Sequence, residues 1–150
     1  MIFVTVGTSD FDQLVEEMDE LAPSLGDRVV IQIGHGRYIP RNCEYFRFAS
    51  SLDPYYDRAG IIVAQGGVGT TMEVLTKGKK LISVENTTCV DHHQTDILRT
   101  LAEEGYLVWC QDLNELPSLL GHLSATSLRP YVVPPCRIAE VIREFLSKLG

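Results

Sequence analysis

Six short apolar runs, "MIFVTVG", "RVVIQIG", "CEYFRFA", "IIVAQGG", "KLISVEN" and "YLVWCQD", recur along the 150 residues and limit the fold more than any other feature. They are dense in Val, Ile and aromatic side chains, the composition of strands covered on both faces. Most are separated by segments with helical spacing. In "SDFDQLVEEMDELA" the residues Phe11, Leu14, Val15, Met18 and Leu21 form one apolar face, with Ser9 or Asp10 as N-cap. "TTMEVLTKG" closes at Gly78, and "DHHQTDILRTLAEEG" carries Ile97, Leu98 and Leu101 inward and stops at Gly105. Strands alternating with helices imply crossover connections. The expected class is α/β: a Rossmann-like doubly wound, mostly parallel six-stranded sheet with helices on both faces. After the sixth run come "ELPSLLGHLS", a polar stretch, and a helix over about residues 135–149 with a stripe of Ile138, Val141, Ile142, Phe145 and Leu149. The stripe is expected to pack on the sheet; the other reading is a docking face for another protein.

The length suits one domain spanning 1–150, and 45% hydrophobic with 22% charged residues is the balance of a folded globular chain. The N-terminus has no basic lead, and no apolar run is long enough to span a membrane. Four cysteines (Cys43, Cys89, Cys110, Cys136) form no CxxC pair, which argues against structural zinc and a disulfide scaffold and fits a reduced, cytosolic setting. A formal net charge of −7 excludes a broad nucleic-acid surface but not a small anion held by local backbone donors.

In open α/β sheets ligands sit beyond the carboxyl ends of the strands, which directs attention to the residues following each run. "QGGVGTT", Gln65 to Thr71, leads from a strand into a helix. Glycines there admit a ligand close to the backbone, and the helix start offers unpaired N–H groups to an anion. A triphosphate loop does not fit, because Thr70 stands where its lysine would fall; a dinucleotide fingerprint does not fit, because Met72 takes the third glycine position. Two readings remain: a tight strand-to-helix turn alone, or a diphosphate held by amides and a threonine hydroxyl. "DHH" at Asp91–His93 resembles the signature of manganese phosphoesterases. Those enzymes need further strand-end aspartates, whereas Asp10 and Asp12 lie at a helix start, and adjacent helical histidines diverge by about a hundred degrees. No G-x-S-x-G elbow occurs. Cys110 reads as core, and His35, between glycines at a strand end, as either structural or ligand-polarising.

Together "IFVTVGT" with Phe11 and Leu14, "GGVGTTMEVLTKGKKLISVEN" and "DHHQ", in this order, resemble the C-terminal, donor-binding half of family 28 GT-B glycosyltransferases. The likeness is to the small stand-alone members, the soluble subunits of two-component UDP-sugar transferases in dolichol-linked and bacterial exopolysaccharide synthesis. It runs from Met1 to about Gln111. The resemblance implies that Gly66, Gly67, Gly69 and Thr70 lie against the diphosphate of a UDP-sugar, with Gly7 and Thr8 across the cleft. It implies that Glu73 takes the ribose hydroxyls, that Phe48 and Ala49 border the uracil, and that Asn86, Asp91 and Gln94 contact the donor sugar. Relatives commonly carry histidine or serine where Gln65 stands, and many carry asparagine where His92 stands.

A GT-B transferase works between two domains, and the acceptor half is absent from this sequence. The resemblance therefore implies a catalytic subunit that binds a UDP-sugar, UDP-N-acetylglucosamine first, and acts by inverting displacement. A membrane-associated partner would hold a lipid-linked or polysaccharide acceptor and supply the base, for which His35 is the candidate on this chain. No cofactor or metal is required on this view, and the cytoplasmic subunit reaches the membrane through its partner. The alternatives are a non-enzymatic nucleotide-sugar-binding or regulatory module, and a phosphoesterase using Asp91–His93.

Overall fold

A computed structural model describes residues 1–87, 92–134 and 137–149, and within it the side chains of 92–94 lie outside the description. Each of the six apolar runs contains a strand: β1 (Ile2–Thr5), β2 (Val29–Gln32), β3 (Glu44–Phe46), β4 (Ile61–Gln65), β5 (Lys80–Val84) and β6 (Val108–Cys110). They form one sheet of order β3-β2-β1-β4-β5-β6 in which every pairing is parallel. Among the described residues six α-helices accompany them: α1 (Asp12–Leu21), α2 (Asp53–Arg58), α3 (Val68–Thr76), α4 (His92–Glu103), α5 (Leu116–Ala125) and α6 (Ile138–Leu149).

The period of two along each strand divides the core into two layers. Ile2, Val4, Ile31, Val63 and Val84 point to one face, where α1 contributes Leu14 and Met18 and α5 contributes Leu116 and Leu120. Phe3, Val30, Ile62 and Leu81 point to the other, covered by Tyr56 of α2, Val74 and Leu75 of α3, and Leu98 and Leu101 of α4. Strands clothed on both sides read as continuous apolar runs, which is why the four central ones were legible. β3 departs from that expectation. It is an edge strand, with Glu44 and Tyr45 exposed, and it is held through Phe46, which stacks on Tyr55 with ring centroids 4.5 Å apart.

Three further expectations are corrected. α1 begins at Asp12, and neither Ser9 nor Asp10 caps it; Phe11 occupies the N-cap without a side-chain hydrogen bond. Ser9 is turned instead toward the sheet, and Asp12 accepts the Arg37 and Tyr38 amides at 2.9 and 3.1 Å. Ile97 is 46% exposed, whereas Leu98 and Leu101 of α4 are buried on the stripe facing the sheet. α6 does not pack on the sheet: Ile138, Val141, Ile142, Phe145 and Leu149 are all exposed, and no residue of the helix is buried. α3 and α4 end as expected, with Gly78 and Gly105 at positive φ.

The connection from β2 to β3 contains no helix. A carboxylate at each end of α1 pins it. Asp12 holds the amides of Arg37 and Tyr38, while buried Asp19 accepts the amides of Arg41 and Asn42 at 2.9 and 2.8 Å and the Tyr38 hydroxyl at 3.0 Å. Among the described residues no helix is long and apolar enough to cross a membrane.

Candidate functional site

The strand order reverses direction between β1 and β4, and there the loops that follow the two strands turn away from each other. The gap between them is a cleft of about 430 Å³. One wall is the Thr5–Ser9 loop, the other the Gln65–Gly67 turn with Thr70, and the floor continues over Glu85, Asn86 and Thr87 to Trp109. Among the described lining residues there is no lysine or arginine.

The turn is built by packing. A Cβ on Gly66 would come within 2.9 Å of Leu98 Cδ1 and 3.3 Å of the Val84 carbonyl oxygen, so a side chain here would have to displace Leu98 or the turn itself. The Gly66 amide donates to the Val84 carbonyl at 2.8 Å, fixing the height of the turn on the sheet. Gly67, in extended conformation, is the N-cap of α3 with no side-chain cap. The first helical amides, Val68, Gly69 and Thr70, precede the first internal bond of the helix, from Thr71 N to Gly67 O at 3.0 Å. Uncapped amides at the positive end of a helix dipole attract an anion.

The opposite wall is held from below. Thr5 Oγ1 donates to buried Gln32 Oε1 at 2.6 Å and accepts the Gly7 amide at 3.1 Å. His35 fastens the same loop twice: its amide donates to the Ser9 carbonyl at 3.1 Å, and its Nδ1 meets the Thr8 carbonyl. Because a carbonyl only accepts, that nitrogen carries a proton. The His35 ring sits edge-on to Phe48, centroids 4.9 Å apart. Gly34 is required behind them, since at φ +54 its Cβ would lie 2.4 Å from the Ser9 carbonyl oxygen.

Of the residues singled out from sequence, Gly7, Thr8, Gln65, Gly66, Gly67, Thr70 and Asn86 meet in this one cleft. His35 and Phe48 form a lip beside it, and Ala49 is exposed beyond them. Gly69 faces open space, and Glu73 is exposed one helical turn past Thr70, neither of them lining the cleft. Asp91 and the Gln94 side chain lie outside the described residues, as does the Asp91–His93 cluster. Sequence reasoning missed Thr87, Thr95 and Trp109 as lining residues. Trp109 was legible as part of an apolar strand, but only its register beside Ser83 of β5 brings it to the cleft floor. Cys110, next to it, is a core thiol: burial, with the charge of Glu115, pushes its pKa up to about 11, and Sγ donates to the Asp112 carbonyl at 3.1 Å.

A doubly wound parallel sheet with a cleft at its switch point is the architecture of one half of a GT-B fold. The chain belongs to the family described as "Glycosyltransferase family 28 C-terminal domain", whose model matches residues 1–145. It is 34% identical over 122 residues to the UDP-N-acetylglucosamine transferase subunit ALG13 of Homo sapiens, covering 73% of this chain and 11% of the relative. Over 79 residues it is 32% identical to the UDP-N-acetylglucosamine–N-acetylmuramyl-(pentapeptide) pyrophosphoryl-undecaprenol N-acetylglucosamine transferase of Acinetobacter baumannii, covering 53% of this chain and 22% of the relative. The chain thus spans about a tenth to a fifth of the length of these curated relatives. Among solved structures, Acinetobacter baumannii MurG superposes with a TM-score of 0.64 at 24% identity, over 83% of this chain and 40% of that one. The solution structure of ALG13 superposes with a TM-score of 0.62 at 21% identity, over 88% and 89% of the two chains.

Proposed function

We propose that this chain is the donor-binding subunit of a two-component inverting glycosyltransferase and that its cleft holds a UDP-sugar, UDP-N-acetylglucosamine first. The observation that carries the proposal is a cleft with no lysine or arginine among its described lining residues, walled by Gly67, the N-cap of α3 without a side-chain cap, and by Thr70, which stands where a triphosphate loop has its lysine. A diphosphate is matched by amide donors and a helix dipole without a counter-cation, so the proposal carries no metal requirement. On this proposal Glu73, exposed a turn beyond Thr70, takes the ribose hydroxyls, and the His35–Phe48 lip borders the edge of the base. The names of the relatives, one of them a transferase subunit, support the donor and the division of labour.

On this proposal the same amides stabilise the leaving diphosphate as its charge develops, while a membrane-associated partner holds a lipid-linked or polysaccharide acceptor and the base. The exposed apolar stripe of α6 supports a partner contact. The subunit would then be cytoplasmic and recruited to the membrane face through that partner.

The test is calorimetric titration with UDP, UDP-N-acetylglucosamine, UDP-glucose and ADP in the presence of a chelator. Selective binding of the uridine compounds is expected, and Glu73→Ala should weaken UDP by about tenfold, the scale of one charged hydrogen bond. Equal affinity for ADP, or an unchanged Glu73→Ala, counts against the base and ribose assignments.

A further inference from the structure

Ser9 Oγ lies 3.0 Å from the Val6 carbonyl oxygen and 2.9 Å from the Gln65 carboxamide atom placed as oxygen. A hydroxyl has one proton, and both of these partners would be acceptors. Val6 is buried, and among the described residues the Ser9 hydroxyl is the donor that reaches its carbonyl. A carbonyl has no other way to bond, whereas a carboxamide exchanges donor and acceptor ends by a half turn. The arrangement that satisfies all three groups sends the Ser9 proton to Val6 and brings the Gln65 Nε2–H to the Ser9 lone pair. Gln65 lines the cleft. With its nitrogen held by Ser9, the atom it offers the cleft is its carbonyl oxygen.

An outward carbonyl oxygen suits one class of ligand group and repels another. It accepts from a hydroxyl or an amide N–H. It cannot bond a phosphate oxygen, which at neutral pH also carries only lone pairs. We propose that Gln65 is a specificity-determining residue that accepts a hydrogen bond from a hydroxyl or acylamino N–H of the transferred sugar, and so separates the sugar nucleotide from the free nucleoside diphosphate. This rests on the nucleotide-sugar reading of the cleft. Its consequence is directional: once the sugar has left, the terminal phosphate of the product faces a lone pair, which favours product release.

Two measurements test the proposal. The first needs no ligand. In the ¹⁵N-labelled protein one Gln65 side-chain amide proton should be shifted downfield by the hydrogen bond, should move back upfield in Ser9→Ala, and should stay shifted in Ser9→Thr. A Gln65 amide pair indifferent to Ser9→Ala overturns the orientation, whatever the protein binds. The second follows Trp109, the sole tryptophan and a lining residue, as a fluorescence reporter of UDP and UDP-N-acetylglucosamine binding. Gln65→Ala is expected to weaken the sugar nucleotide about tenfold and UDP by less than twofold. Equal losses for both would show a phosphate contact, and no loss for either would show no contact; each result overturns the proposal while leaving the UDP-sugar reading in place. Wild-type protein that responds to neither compound, by fluorescence or by calorimetry, overturns that reading and the sugar assignment with it, and the amide-proton result then stands alone as a fact about the loop.

Discussion

Asp19 is the only buried charged residue among those described, and what surrounds it explains how a carboxylate survives there. Burial by itself would raise its pKa, but the amides of Arg41 and Asn42, the Cys43 thiol and the Tyr38 hydroxyl outweigh it, and the net shift is downward. The same carboxylate helps, after burial, to push the Cys43 thiol up to about 12, which makes that thiol unreactive. A carboxyl whose folded pKa lies below its unfolded value of about 3.9 contributes stability above that pH, and the contribution is lost as pH falls toward the folded pKa. Asp19→Asn, which loses the charge and mismatches one donor, should cost about 2–4 kcal/mol at neutral pH. Urea melts from pH 7 down to pH 2 should show a steep acid limb in the wild type and a flatter one in the variant. Parallel limbs would mean that other carboxylates carry the acid sensitivity. Gly34 makes a second residue-scale case: at φ +54 with a backbone carbonyl 2.4 Å from any Cβ, Gly34→Ala has nowhere to go. A loss of about 2–4 kcal/mol is expected by urea denaturation. Because the clash is with Ser9, UDP binding should weaken in the same variant.

At the scale of elements, the strands were legible because burial on both faces leaves a mark in composition, and six apolar runs became six strands. The helix faces were legible where the stripe meets the sheet, as in α1. They failed at Ile97, one position off the stripe of Leu98 and Leu101, where hydrophobicity alone does not tell an inward from a lateral side chain. The N-cap of α1 failed for another reason: Ser9 was spent on Val6 and Gln65, a long-range arrangement that local spacing does not encode. Of the candidate site, the glycine turn and the first loop were legible, since both follow strand ends at the switch point. Trp109 and Thr95 were not, because strand order and helix placement, rather than sequence, bring them to the cleft. The turn also carries a prediction. Gly66 was read as room for a ligand, yet the nearest atoms to its would-be Cβ are Leu98, Val84 and Ser83 of the protein itself. Gly66→Ala should therefore displace the turn into the cleft, lowering UDP affinity about tenfold or more by calorimetry while the protein stays folded by circular dichroism. Undiminished affinity would show that Leu98 simply yields.

For the whole molecule the question is what α6 contributes. Its apolar side chains, Ile138, Val141, Ile142, Phe145, Leu146 and Leu149, are between half and nearly three-quarters exposed. The charged groups at its start do little inside the fold: Arg137, just before the helix, pairs with Glu140 at 3.0 Å, an exposed pair of small value. An amphipathic helix that buries nothing adds little to folding, since in proteins most helical stability comes from packing an apolar face. The two core layers are complete without it, closed by α1 and α5 on one side and by α2, α3 and α4 on the other. A chain ending after Pro134 should therefore unfold at the same urea concentration as the full chain, within about 0.5 kcal/mol, the range of changes that remove no buried contact. It should bind UDP unchanged, because no residue of α6 lines the cleft. What it should lose is a hydrophobic surface: less binding of an apolar fluorescent dye, and a smaller tendency of the concentrated protein to associate in sedimentation velocity runs. A fall in the urea midpoint of the shortened chain would mean that α6 packs on the body in solution and that the stripe is core after all. An unchanged midpoint, with the dye signal gone, leaves the stripe as a surface kept for something other than the fold of this chain.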